Sequence, residues 1–185
     1  IVKTMMRIDL EKPLKTGEST SLKIEYWYNI NNRKEIGGRS GLEYFEEEDN
    51  YLYTIAQFFP RMCVYNEVEG WQNKQFLGRG EFTLPFGDYT VNITVPDDHV
   101  VGSTGTLQNP KDVLSQTQID RFEESKTATA PVMIVNPKEA LKAEKGKPSG
   151  TKTWTFKAEN VRDFAFASSR KFIWDAMGVE VDGKT

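Results

Sequence analysis

Histidine and cysteine are almost missing from this sequence, with one of each in 185 residues. A solitary Cys63 cannot close an intrachain disulfide, so packing and hydrogen bonds must hold the fold. A solitary His99 excludes an H-E-x-x-H zinc motif, a cysteine–histidine ligand cluster and any multi-histidine site built from this chain alone. A serine triad fails on the same ground, because no G-x-S-x-G elbow exists for His99 to serve. Long apolar runs are missing too. Nothing approaches the ~18 residues of a membrane-spanning helix, and the first residues lack the basic-then-apolar order of a signal peptide. Neither sign of charge prevails: 24 basic side chains face 27 acidic ones, a net charge of −3 that gives no reason to expect a nucleic-acid partner.

The glycines form no phosphate cradle. Gly37-Gly38 and Gly78-Arg79-Gly80 lack both a following Lys-Ser/Thr and a strand–helix setting. Four carboxylates stand in a row at Glu46–Asp49, but the run lacks the alternate spacing and glycine kink of a calcium loop, so it reads as a solvated loop. His99 follows Pro96-Asp97-Asp98 in a polar stretch and reads as an exposed turn residue. Cys63, in the apolar run Met62–Tyr65, reads as a buried structural thiol.

What the sequence has is alternation. Tyr89, Val91, Ile93 and Val95 take one side of a strand, with Thr90, Asn92 and Thr94 on the other. Ser21–Tyr28 repeats the pattern through Leu22, Ile24, Tyr26 and Tyr28, and Thr151–Lys157 through Trp154 and Phe156. Val132–Val135 is a short apolar strand that suits burial on both faces. Glycine, proline and aspartate clusters bracket these runs. Helix signals are few: Pro110 behind Asn109, a short helix within Gln116–Ser125, and Pro137–Gly146 as an exposed helical turn or mobile loop. Asn31–Asp49 reads as a second mobile insertion. The fold expected is all-β, a sandwich or saddle-like multi-sheet domain with one or two short helices, spanning residues 1–185 as one domain. Ile1 in place of a methionine, and the strand-like Val179–Thr185, read as cut ends.

Aromatic residues crowd between positions 58 and 89, where Phe58, Phe59, Trp71, Phe76, Phe82 and Phe86 suit a core or a sugar-stacking face. The same region opens an ordered series of blocks: AQFFPRMCVYN at Ala56–Asn66, Gly70-Trp71, Phe76-Leu77-Gly78, Glu81-Phe82, and FGDYTVNITVP at Phe86–Pro96. VVGSTGTLQNP at Val100–Pro110 and TWTFKAENVRDFAFASSRKFIWD at Thr153–Asp175 continue it. From about Lys12 to Asp175 this series resembles the N-terminal β domain of aminopeptidase N-like zinc metallopeptidases, in a bacterial branch with a Q-W/F-F/Y-P-R block.

The resemblance implies a non-catalytic domain that packs on a thermolysin-like catalytic domain, expected after residue 185, where the zinc ligands and the G-x-M-E-N-type motif reside. No cofactor is then expected on this chain, and zinc belongs to the absent neighbour. It further implies that one segment lines the substrate cleft and helps to hold the free amino end of a peptide. By position that segment falls near Thr54–Gln57, although the usual T-Q-x-E form is not kept and no glutamate appears. Gln57 is the candidate cleft contact, through an amide oxygen that accepts from an ammonium group. Val161–Ala167 reads as the last strand before the domain junction, with Arg162 and Asp163 pointing to opposite faces. Such charges are unfavourable if buried unpaired, so at least one is expected to face the catalytic domain or pair across the sheet. Export signals in this branch favour the bacterial periplasm or envelope over the cytoplasm. The rival readings are a free-standing binding module for carbohydrate or protein, with Trp71, Phe76 and Phe82 as an exposed row, and a structural domain with an apolar patch near residues 161–175.

Overall fold

The computed structural model describes residues 1–75 and 83–183. Phe76, Phe82 and the Gly78-Arg79-Gly80 stretch lie outside the described residues. The chain divides into two units, one of Ile1–Asn29 with Pro60–Pro85 and one of Ile30–Phe59 with Phe86–Thr185.

The second unit is mostly antiparallel sheet. β1 (Gly41–Phe45) and β2 (Asn50–Ile55) form a hairpin around the acidic run. A four-stranded sheet follows the order β1-β2-β10-β6, where β6 is Val100–Ser103 and β10 is Phe166–Ser169. A three-stranded sheet has the order β5-β9-β7, from β5 (Gly87–Pro96), β9 (Thr151–Val161) and β7 (Thr106–Leu107). The alternation read at 89–95 and 151–157 sets the register: Ile93 faces Trp154 across the ladder and Val91 faces Phe156. Inward residues gather in one core of Ile93, Val101, Val113, Leu114, Trp154, Phe156, Ala158 and Phe164. Removing a side chain such as Ile93 or Val101 from water contributes ~1.5–3 kcal/mol.

Four short helices are present among the described residues, more than the one or two expected. α1 (Arg33–Ile36) and β1 overturn the mobile insertion read at 31–49. Asn32 caps α1 through Oδ1, which accepts from the Lys34 N–H, and β1 then pairs with β2 along five residues. The acidic run concealed two short strands on either side of its turn. α2 (Pro110–Val113) begins at the expected proline. α3 (Gln116–Ser125) starts in a capping box between Ser115 and Gln118, and α4 (Pro137–Glu144) in another between Asn136 and Glu139. These caps make a helix of the stretch read as helical turn or loop. β8 (Val132–Val135) pairs with β11 (Trp174–Ala176). Only Ile134 and Val135 of β8 are buried, and Met133 is exposed, against the expectation of burial on both faces.

Among its described residues the first unit holds a small hairpin, β3 (Tyr65–Asn66) and β4 (Gly70–Trp71). Asn66 Oδ1 closes its turn by accepting from the Val68 and Glu69 N–H groups. The strand expected over Ser21–Tyr28 forms no ladder among the described residues, and Leu22, Ile24, Tyr26 and Tyr28 are all exposed. Alternation supplies a face, but a strand also requires a neighbour for its N–H and C=O groups. Cys63 is half-buried, not buried as expected.

Candidate functional site

Register brings distant segments together at one end of the four-stranded sheet. Ile55 at the end of β2 stands opposite Phe166 at the start of β10, and Phe166 stands opposite Ser103 at the end of β6. Thus the Ala56–Phe59 segment, the Arg162–Ala165 segment and Thr104-Gly105 all leave the sheet at this end.

The chain is tied down tightly here. Ser40 Oγ donates to the Thr54 carbonyl at 3.1 Å and accepts from the Ala56 N–H at 3.1 Å. Gln57 follows with φ +53°, a left-handed backbone that is uncommon without glycine, and its side chain is exposed. Phe58 and Phe59 then turn inward, the first edge-on to Phe166 at 5.5 Å and the second edge-on to Tyr89 at 5.6 Å. Two buried-side aromatics after a strained residue leave Gln57 displayed at the surface. The resemblance singled out this position as an expectation; its backbone conformation carries no signal in sequence.

Arg162 and Asp163 do not lie on a strand. β9 ends at Val161, because Asn160 takes φ +53° and its N–H binds Asp88 Oδ1 at 2.8 Å, where the β5–β9 register shifts. Asparagine tolerates this conformation, and an extra residue bends the strand away. Arg162 is exposed and lays its guanidinium over the Phe86 ring at 4.8 Å. Asp163 is half-buried, and its Oδ1 accepts from the Phe164 N–H at 2.6 Å. Thr104 pins the segment from the other side: its N–H donates to the Ala165 carbonyl and its Oγ1 accepts from the Ala165 N–H. Beside it an open depression of about 520 Å³ runs along Gly105, Thr106, Gln108, Lys157, Glu159 and Val161.

The opposite end of the sheet is ionic. Lys171 Nζ reaches Glu48 at 3.2 Å and Glu144 at 3.3 Å, and Arg170 Nε lies 3.3 Å from Asp98. His99 corrects its reading as an exposed turn residue. It is buried at 4 % exposure, because its ring turns under the sheet to meet Ser168. A polar local sequence could not reveal a contact made 69 residues away.

Among the described residues no three His, Cys, Asp or Glu side chains converge as a metal site requires, and no helix is long and apolar enough to cross a membrane. The donor set does not fit a catalytic zinc, which takes three protein ligands and an open position. Of the aromatic row, Trp71 is exposed and packs edge-on against Tyr65 at 5.3 Å. No protein-family model, no curated protein and no solved structure matches the chain.

Proposed function

We propose that this chain is a non-catalytic β domain of a zinc-dependent aminopeptidase of the bacterial envelope. In this reading it packs on the catalytic domain and narrows the cleft that receives peptide amino ends. One observation supports it above the rest. Gln57, which the resemblance allots to the cleft, and Arg162 and Asp163, allotted to the domain junction, leave the same end of one sheet although 105 positions separate Gln57 from Arg162. An exposed apolar series at Ile173, Met177, Val179 and Val181 adds surface suited to burial against a partner domain.

The division of labour is chemical. Hydrolysis by a zinc-activated water is supplied in the neighbouring domain. Here the Gln57 amide oxygen accepts from a substrate ammonium group, from an exposed position between Ala56 and Phe58. Arg162 and Asp163 meet the catalytic domain. A peptidase assay on the purified 185-residue chain should show no turnover with or without zinc, and the gene should encode a zincin signature beyond residue 185. Zinc-dependent turnover by this chain, or a gene without that signature, overturns the proposal.

A second reading, a carbohydrate-binding module, draws on Tyr65 and Trp71, which are 63 % and 55 % exposed. Saturable quenching of tryptophan fluorescence by a glycan would favour it over the first.

A further inference from the structure

The turn between β5 and β6 is fastened to the sheet by side chains. The His99 N–H closes the turn on the Pro96 carbonyl at 3.0 Å. Its Nδ1 lies 2.9 Å from Oγ of Ser168, a β10 residue only 1 % exposed. The Tyr53 ring of β2 stands 6.1 Å from the imidazole. The preceding residue, Asp98, meets Arg170 Nε just beyond β10, and Arg170 Nη1 donates to the Gly146 carbonyl after α4. One ring and one ion pair therefore join the turn to two strands and a helix end.

The charges facing the imidazole come from three places: Asp98 in its own turn, Arg170 beyond β10 and Lys152 on β9. Tyr53 is neutral. Lys152 in turn faces Asp97 as well as Asp98, so two carboxylates stand against the two cations, and Asp98 lies against Arg170. Lys152 is itself occupied, donating to the Val113 carbonyl at 3.0 Å. A proton on His99 would add a positive charge at a position 4 % exposed, where the ring's polar partner is the neutral Ser168 hydroxyl and no carboxylate forms an ion pair with it among the described residues, which is unfavourable. Burial foremost, with Arg170 and Lys152 against the opposing pull of Asp98, holds the imidazole below its ordinary value.

We propose that His99 is an acid-sensitive latch: neutral, it locks the β5–β6 turn onto β10, and protonated, it releases that turn. The sign follows from linkage. A base whose folded pKa is lowered stabilises the fold fully above its unfolded value of ~6.5, and that contribution is lost as pH falls through the folded value. Each unit between the two values is about a tenfold change in the folded-to-unfolded ratio.

A single histidine makes the test clean, since every imidazole signal is His99. The ring resonances of the whole chain are followed by NMR from pH 8 to 4.5, together with amide protection at Val100, Val101 and Ser168. The ring should titrate below 6.5, and protection at the three amides should fall at least several-fold over the same interval. In His99→Gln, a neutral side chain that can still reach Ser168, that loss should be absent. A ring titrating at or above 6.5, or amides indifferent to its titration, overturns the latch. The wild-type titration alone decides the matter if the variant does not fold.

Discussion

Ile55 of β2 and Phe166 of β10 face each other across the sheet, and that pairing decides what can gather at its end. Because the strands are antiparallel, the chain leaving β2 and the chain entering β10 emerge side by side. Gln57 and Asp163 thereby come from distant parts of the sequence to one edge, the first exposed and the second half-buried.

Gln57 pays for its display with a left-handed backbone at φ +53°. A β-branched residue there should be worse, and glycine no worse. Gln57→Val should lose about 1–2 kcal/mol in urea unfolding, whereas Gln57→Gly should be neutral or mildly stabilising. Equal losses for both would mean that the glutamine side chain, and not its backbone, is structurally required.

Gly102 and Gly105 give a matched pair three residues apart in sequence. A Cβ at Gly105 would meet the Lys157 carbonyl oxygen, and its φ is +86°. A Cβ at Gly102 would meet nothing within 4 Å. Gly105→Ala should therefore cost about 2 kcal/mol or more through strain and displaced backbone, while Gly102→Ala stays within about 0.5 kcal/mol. Chemical denaturation of both variants checks the contrast.

The parts of the fold readable in sequence were those whose patterns act locally. Alternation at 89–95 and 151–157 became β5 and β9, and Pro110, Gln116 and Pro137 opened or lay at the start of real helices. Alternation over 21–28 had the same quality yet formed no ladder, since pairing depends on a neighbour that periodicity does not name. The hairpin at 41–55 was hidden because its turn is a run of acids, although Leu42 and Tyr44 alternate in β1 and Tyr51, Tyr53 and Ile55 in β2. Of the candidate site, position 57 was singled out only by resemblance, and the bulge at Asn160 that moved Arg162 and Asp163 off the strand is a matter of register. Burial of His99 needed Ser168, and no local rule joins those two residues.

Trp154 lies at 0 % exposure in the core, and its Nε1 has no hydrogen-bond partner among the described residues. Its value is packing, and the indole N–H is a desolvated donor that works against it. Trp154→Ala should lose about 3–5 kcal/mol, by burial forgone and cavity left. Trp154→Phe gives up volume but also removes the orphan donor, so it should lose clearly less. If the two variants were equally damaged, an unseen partner of Nε1 would have to be invoked.

Glu139 ties α4 to α3. Its carboxylate accepts from Arg121 Nη1 at 2.8 Å and closes the capping box by accepting from the Asn136 N–H at 2.9 Å. Partial burial works against its charged form, but the Asn136 N–H and Arg121 outweigh it, and the carboxyl sits below its ordinary value. A lowered acid stabilises the fold above its unfolded pKa, and the contribution disappears as pH falls through the folded one. The window therefore opens below the usual glutamate range, more acid than that of His99. The pair is partly exposed, at 27 % and 37 %, so water and salt screen it. Glu139→Gln retains an acceptor for the cap but loses the charge, and should cost about 1 kcal/mol at pH 7. That difference from the wild type should shrink towards zero near pH 3 and in strong salt. Persistence of the full difference at pH 3 would show that the geometry of the cap, and not the charge, sets the contribution of Glu139.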